Sequence, residues 1–216
     1  MLLTATNRLA RLLRADYDAA QRAAGRRAWA GADILPWHGW LEREWSELSL
    51  AGADAPPLLD EAQQAYLWRS IIRDAGGAAL VSISATAAEA DRACAALYDY
   101  RLAISPEAWD RSPDAATFRD WHAEFRRRCA EGGWLSRAEL AAELTARLAA
   151  NAWRPPREIE LAGFSDLTPA QNALVAALCA AGIEVRERPA PVAPAQRAAV
   201  AAGFADAEAE MRAAAR

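Results

Sequence analysis

The chain has 216 residues, 53% apolar and 25% charged, which is enough for one large or two small packed domains and too apolar for general disorder. Its 25 basic residues against 29 acidic ones leave a net charge of −4, which excludes a protein that coats nucleic acid or an anionic membrane by bulk charge. Every basic residue is arginine, so a Walker A lysine, a Schiff base or a lysine general base is impossible within it.

The predicted elements begin with a short apolar strand, Leu2 to Ala5, running into Thr6-Asn7, good helix N-cap residues. Leu9, Leu12, Leu13, Tyr17 and Ala20 recur at helical spacing up to Gly25, a plausible helix stop. Arg8, Arg11 and Arg14 share one side of that helix. Strand followed at once by helix is the opening of an α/β unit.

From Pro36 to about Ala150 the pattern reads as helical throughout, in about five helices. Trp37, Trp40, Leu41, Trp45 and Leu48 make one apolar face. Asp60 caps a helix through Leu67, Trp68, Ile71 and Ile72 that ends at Gly76-Gly77, and Ser112-Pro113 opens another through Trp121 and Phe125 to Gly132. Thr86-x-x-Glu89 and Ser136-x-x-Glu139 have capping-box spacing.

The α/β pattern returns with an alternating strand, Glu158 to Ala162. Thr168-Pro169-Ala170-Gln171 then supplies a cap, a first-turn proline and a capping-box glutamine for a helix to Gly182. Ile183 to Arg186 is a further strand, which together with the preceding strand and helix predicts a right-handed βαβ crossover. Pro189 to Pro194 reads as an extended linker, Arg197 to Phe204 as a last strand, and Asp206 as the cap of a helix cut off at Arg216, as in a truncated chain. The expected fold class is therefore α/β, a parallel sheet with a large all-helical insertion. Residues 1–35 form the first part of the α/β domain, 36–150 the insertion, and 151–216 the remainder.

No window approaches the roughly eighteen apolar residues of a membrane span, and Met1 to Thr6 lacks a basic leader with a long apolar run. No membrane association is expected, and the expected location is the cytoplasm. His38 and His122 are far apart in sequence, and Cys94, Cys129 and Cys179 form no C-x-x-C pair, so neither a zinc site nor any cofactor is expected. The three cysteines read as buried thiols and most of the nine tryptophans as core.

Two strand-to-helix turns remain as candidate sites. Thr4, Thr6, Asn7, Arg8 and Arg11 put hydroxyls, a positive helix end and guanidinium groups together, a pattern suited to a nucleic-acid phosphate, although the residues alone favour an ordinary capped helix with a solvated arginine face. Ala162, Gly163, Phe164, Asp166 and Gln171 lie at the carboxyl end of a strand, where open α/β sheets bind ligands. Asp166 is the only carboxylate there, and a tight turn at Gly163 explains the segment as well. His122 reads as a core or boundary residue, and Arg126-Arg127-Arg128 as a charged helix end.

The order of these pieces carries a resemblance. Leu3 to Arg11, Gly25 to Trp29, Asp33 to Trp37 with Trp40-Leu41, Ile159 to Phe164 with Leu167 to Gln171, and Glu208 to Arg212 are similar in order and spacing to the N-terminal helicase-like region of AddB-type helicase–nuclease subunits. They are more similar still to the DNA-repair branch of RecB-like PD-(D/E)XK nuclease proteins. The resemblance implies a P-loop-helicase-like domain in which Thr4, Thr6, Asn7, Arg8 and Arg11 contact single-stranded DNA. It further implies that Ala162 to Gln171 stand for a Walker B segment in which Ala162 and Gly163 replace its two acids. Only three residues precede Thr4, leaving no room there for a phosphate loop.

The expectation is therefore a non-catalytic domain of a DNA-repair exonuclease-type protein. It would position DNA, a helicase subunit or a C-terminal nuclease domain without hydrolysing ATP. The alternative is a purely architectural protein-interaction module without DNA contact, which the net charge of −4 favours for the isolated chain.

Overall fold

The computed structural model describes residues 1–76 and 82–188. Its centre is a four-stranded, all-parallel sheet of β1 (Leu2–Thr4), β2 (Ile34–Pro36), β3 (Glu158–Ala162) and β4 (Glu184–Arg188), in the order β2-β1-β3-β4. Leu3 pairs with Leu35 on one side and Leu161 on the other, which makes β1 a central strand despite its three residues. The strand expected last and the helix after it lie outside the described residues. So do the proline-rich linker at Pro189–Pro194 and Gly77.

Strand β2 was not expected, because Ile34-Leu35-Pro36 is brief and ends in proline. Proline lacks the N–H of a central strand but is tolerated at an edge, and β2 is an edge strand. Its carbonyl at Ile34 accepts hydrogen bonds from the Arg14 guanidinium, 2.8 Å from Nε. Arg14 thus does not extend a solvated arginine stripe; it blunts a sheet edge.

Helix α1 (Asn7–Ala23) covers one face of the sheet, where Leu2, Ile34 and Ala162 meet Ala10, Leu9 and Leu13. Leu12, expected in that stripe, is exposed. The opposite face, with Leu3, Ile159 and Leu161, is covered by α2 (Trp37–Leu50), α7 (Leu140–Ala149) and α8 (Pro169–Ala180). The units β1-α1-β2 and β3-α8-β4 run in opposite directions from the sheet centre. Two right-handed crossovers of that kind place their helices on opposite faces, as α1 and α8 are.

The stretch expected as one helical insertion divides between two cores. Helices α2 and α7 belong to the sheet's core, with Trp37, Trp40 and Trp45 against Leu140, Leu144 and Trp153. A separate core joins α3 (Glu61–Asp74), α4 (Ile83–Asp99) and α6 (Pro113–Gly132) through Trp68, Ile71, Ile72, Cys94, Phe125 and Cys129. The short α5 (Pro106–Trp109) leads into α6. Trp68 stacks on Phe125 with ring centroids 4.2 Å apart, a contact of the kind aromatic cores favour. Its indole N–H reaches Asp91 at 2.9 Å, and Asp91 also accepts from Gln64 at 2.6 Å.

The caps follow the sequence at Thr6, Asp60, Ser136 and Thr168 and depart at one helix. Asp60 and Gln63, Ser136 and Glu139, and Thr168 and Gln171 form reciprocal capping boxes. At α4 the cap is Ser82, which accepts from Ala85 N at 3.2 Å, and Thr86 sits one turn inside the helix with its hydroxyl donated to the Ser82 carbonyl. Cys94 and Cys129 are buried, whereas Cys179 is exposed, against the expectation for all three. Among the described residues no helix is long and apolar enough to cross a membrane.

Candidate functional site

Strands β1 and β3 are neighbours from which the chain turns outward in opposite directions. That is the switch point of an open α/β sheet, and the crevice beyond its strand ends is the favoured ligand position. Both sequence-predicted segments meet there. Ala5 N donates to the Ala162 carbonyl at 3.1 Å, carrying the β1–β3 pairing into the two turns.

The β1–α1 connection is two residues, Ala5 and Thr6, with no glycine. Thr4 is fully buried, its hydroxyl donated to the Thr6 carbonyl at 3.0 Å and directed also at the Leu35 carbonyl at 3.4 Å. It therefore holds the turn and does not face solvent, contrary to its place among the expected DNA contacts. Thr6 caps α1 by accepting from Leu9 N at 3.2 Å, in extended conformation at φ −139°. Asn7, Arg8 and Arg11 are exposed on the first turns of α1, and neither arginine enters an ion pair among the described residues. Two cations beside a helix N-terminus, whose dipole end is also positive, form a local positive patch on an acidic chain.

On the β3 side Ala162 is buried and Gly163 takes φ +74°, a left-handed turn that glycine adopts without strain. A Cβ at Gly163 would stand 2.4 Å from Cδ2 of Leu9, so the Leu9 side chain occupies the gap between the two turns. Phe164 is half-buried and meets Trp37 edge-on, with centroids 6.2 Å apart. Asp166 is exposed. The Gln171 side chain is committed to its own helix, accepting from Thr168 N at 2.9 Å.

The structure thus joins the two turns through Ala5 with Ala162 and Leu9 with Gly163, leaves Asn7, Arg8 and Arg11 exposed on α1 and Phe164 against Trp37, and withdraws Thr4, Ala162 and Gln171 into structural roles. Leu9 was missed as a site residue. Its apolar character at the third position of a helix following a strand end was the available signal. Among the described residues no cluster of His, Cys, Asp and Glu has metal-holding geometry. Arg127 and Arg128 pair with Glu124, Glu131 and Asp74, so this run is a laced helix face. It lies more than a turn before the helix end, so the expected macrodipole role does not apply to it. The two guanidinium groups hold the Glu124 carboxyl at about 2, through hydrogen bonds first and charge second. No family model matches this sequence, and no curated protein matches it either.

Proposed function

We propose that this chain is a non-catalytic, helicase-like domain of a DNA-repair protein of the helicase–nuclease type. Its role is to position single-stranded DNA or neighbouring domains without hydrolysing ATP. The observation that carries the reading is at the switch point: Leu9 fills the space between the strand ends, while Arg8 and Arg11 stay exposed beside it and enter no ion pair among the described residues. A nucleotide's phosphates need a loop of backbone N–H groups and a cation at that position. The two-residue β1–α1 connection offers no such loop, and Ala162 and Gly163 bring no carboxylate for magnesium. The anion-attracting features lie outside the crevice instead, where a strand of DNA can pass.

Fluorescence anisotropy of a labelled single strand at low and moderate salt tests this reading. Binding that weakens with salt and is lost in Arg8→Glu/Arg11→Glu is the expected result. Absence of binding at low salt overturns the DNA contact and leaves a protein-docking role. Steady ATP hydrolysis by the pure protein overturns the non-catalytic assignment.

A further inference from the structure

A second concave site lies away from α1, where the ends of α4 and α5 and the middle of α6 face α7 and α8. It is a cleft of about 600 Å³. One side carries the rings of Trp109, His122 and Tyr98; Tyr98 meets His122 edge-on at 6.4 Å, and Phe118, which does not itself line the cleft, joins Trp109 at 5.9 Å to His122 at 5.8 Å. The other side is made of small residues, Ala141 and Ala142 of α7 with Ala170 and Ala173 of α8. An alanine wall facing aromatic rings leaves a flat apolar slot.

Two charged groups are left without partners in this cleft, while His122 Nε2 is sealed from solvent and makes no hydrogen bond. Arg101 and Arg126 line the cleft and are exposed, and neither enters an ion pair among the described residues. Arg101 also holds the left-handed position after α4, at φ +51°. Its N–H bonds the Tyr98 carbonyl and that of Leu102 bonds the Leu97 carbonyl, the usual helix-terminating pair. Helices α1, α2, α3, α6 and α8 place glycine at this position, and α7 places Asn151. Among the described residues only α4 carries a long cationic side chain where the backbone prefers none, and that side chain lines the cleft.

We propose that this cleft binds an anionic ligand with a flat heteroaromatic body, a nucleoside monophosphate unit, either free or as one residue of a single strand. The ring lies between the alanine wall and the rings of Tyr98, Trp109 and His122. The phosphate sits with Arg101 and Arg126, whose guanidinium groups suit a phosphate's oxygens. A hydrocarbon ligand would leave the two arginines without a counter-charge, and a cation would be repelled by them. The cleft shares no residue with Arg8 and Arg11, so the inference stands apart from the reading of that face.

The test is a calorimetric and tryptophan-fluorescence titration of the whole chain with deoxyadenosine monophosphate, deoxyadenosine and inorganic phosphate, each used separately. The monophosphate is expected to bind at ~1 mM or tighter at low salt, at least about tenfold better than either part alone. Arg126→Ala and Arg101→Gly should each weaken it about tenfold. Arg101→Gly replaces a strained residue with the one the turn prefers, so it should melt no lower than the parent chain, separating lost binding from lost folding. Arg8→Ala/Arg11→Ala should bind the monophosphate as the parent does. Displacement by a short oligothymidylate assigns the site to a strand, and failure to displace assigns it to the free nucleotide. The proposal is overturned if the monophosphate does not bind, if phosphate alone binds equally well, or if both cleft variants bind unchanged.

Discussion

Leu9 and Gly163, which are 154 positions apart, meet so closely that a single added methyl at Gly163 would overlap the Leu9 δ2 carbon at 2.4 Å. This contact ties the turn after β1 to the turn after β3 and fills the crevice that an open α/β sheet ordinarily offers to a ligand. Gly163→Ala is strained at φ +74°, and the tip of the Leu9 side chain has to give way as well. The expected loss is about 1–3 kcal/mol in a urea titration, most of it from the backbone. Adding Leu9→Ala should recover part of it, because the two penalties share one contact. A Gly163→Ala midpoint within experimental error of the parent would show that the turns are not so joined.

The Glu44 carboxylate, almost fully buried, is a second tie across the fold. Its Oε1 accepts from Trp40 Nε1 at 2.9 Å and from Arg43 at 3.2 Å, and its Oε2 accepts from Trp153 Nε1 at 3.1 Å. Trp153 precedes β3, so Glu44 locks α2 to the return of the chain into the sheet. Glu44→Ala strands two buried indole N–H groups and should cost about 2–5 kcal/mol. Glu44→Gln keeps one acceptor oxygen and should cost less. Equal losses in chemical denaturation would mean that the full carboxylate, not the packing volume or the one acceptor that glutamine keeps, matters at this position.

How much of this was legible in the sequence depends on whether the information was local. Thr168, Pro169 and Gln171 specify a helix start within four residues, and the structure uses all three. Ser82 and Thr86 are both competent caps one turn apart, and local spacing favoured the one with Glu89. The helix begins at Ser82, burying Ala87, Ala90 and Cys94 against α3 and α6, and a capping pattern does not contain that choice. Strand β2 is invisible locally because its three residues become a strand only by pairing with Leu2, Leu3 and Thr4. The two candidate turns were legible as strand ends followed by caps. That Thr4 points inward and Leu9 fills the gap followed only from which strands are neighbours. The cleft at His122 was illegible for the same reason, since its walls come from α4, α5, α6, α7 and α8.

The cysteines separate by environment. Burial, followed by the charges of Asp91 and Glu139, pushes the Cys94 thiol up to about 12. Burial and Glu139 push Cys129 to about 11. Thiolate is the reactive form, so neither should react near neutral pH in the folded protein, whereas Cys179 is exposed. Ellman's reagent should therefore modify one thiol rapidly in native protein and all three in denaturant. Rapid modification of two or more native thiols would contradict the burial described for the second core.

His122 gives the fold a pH dependence with a definite sign. Burial and the neighbouring Arg126 hold its pKa below 6.5, only partly opposed by Glu139, while Tyr98 contacts it edge-on. A depressed histidine is neutral in the native state, so below pH 6.5 the unfolded chain takes up the proton first. Stability should fall as pH drops from about 6.5 toward the depressed value, and this contribution should be absent at higher pH. His122→Phe should remove that part of the slope while leaving the carboxylate-driven loss at lower pH. Identical slopes for parent and variant, measured by urea midpoints between neutral and mildly acidic pH, would place His122 in a solvated setting instead.

Arg8, Arg11 and Arg14 share one helix side, yet their surroundings predict different behaviour. Each arginine that neutralises a phosphate of a single strand contributes about 0.7 to the slope of log K against log salt. Arg8 and Arg11 are exposed and unpaired among the described residues, so replacing both with alanine should flatten the slope by about 1.4 and leave thermal stability nearly unchanged. Arg14 is engaged with the Ile34 carbonyl, so Arg14→Ala should lower stability by about 1 kcal/mol and leave the salt slope alone. The opposite pattern, with the slope carried by Arg14, would require α1 to release the β2 edge on binding. A slope unchanged by all three substitutions would remove DNA from this face and leave it as a surface for a protein partner.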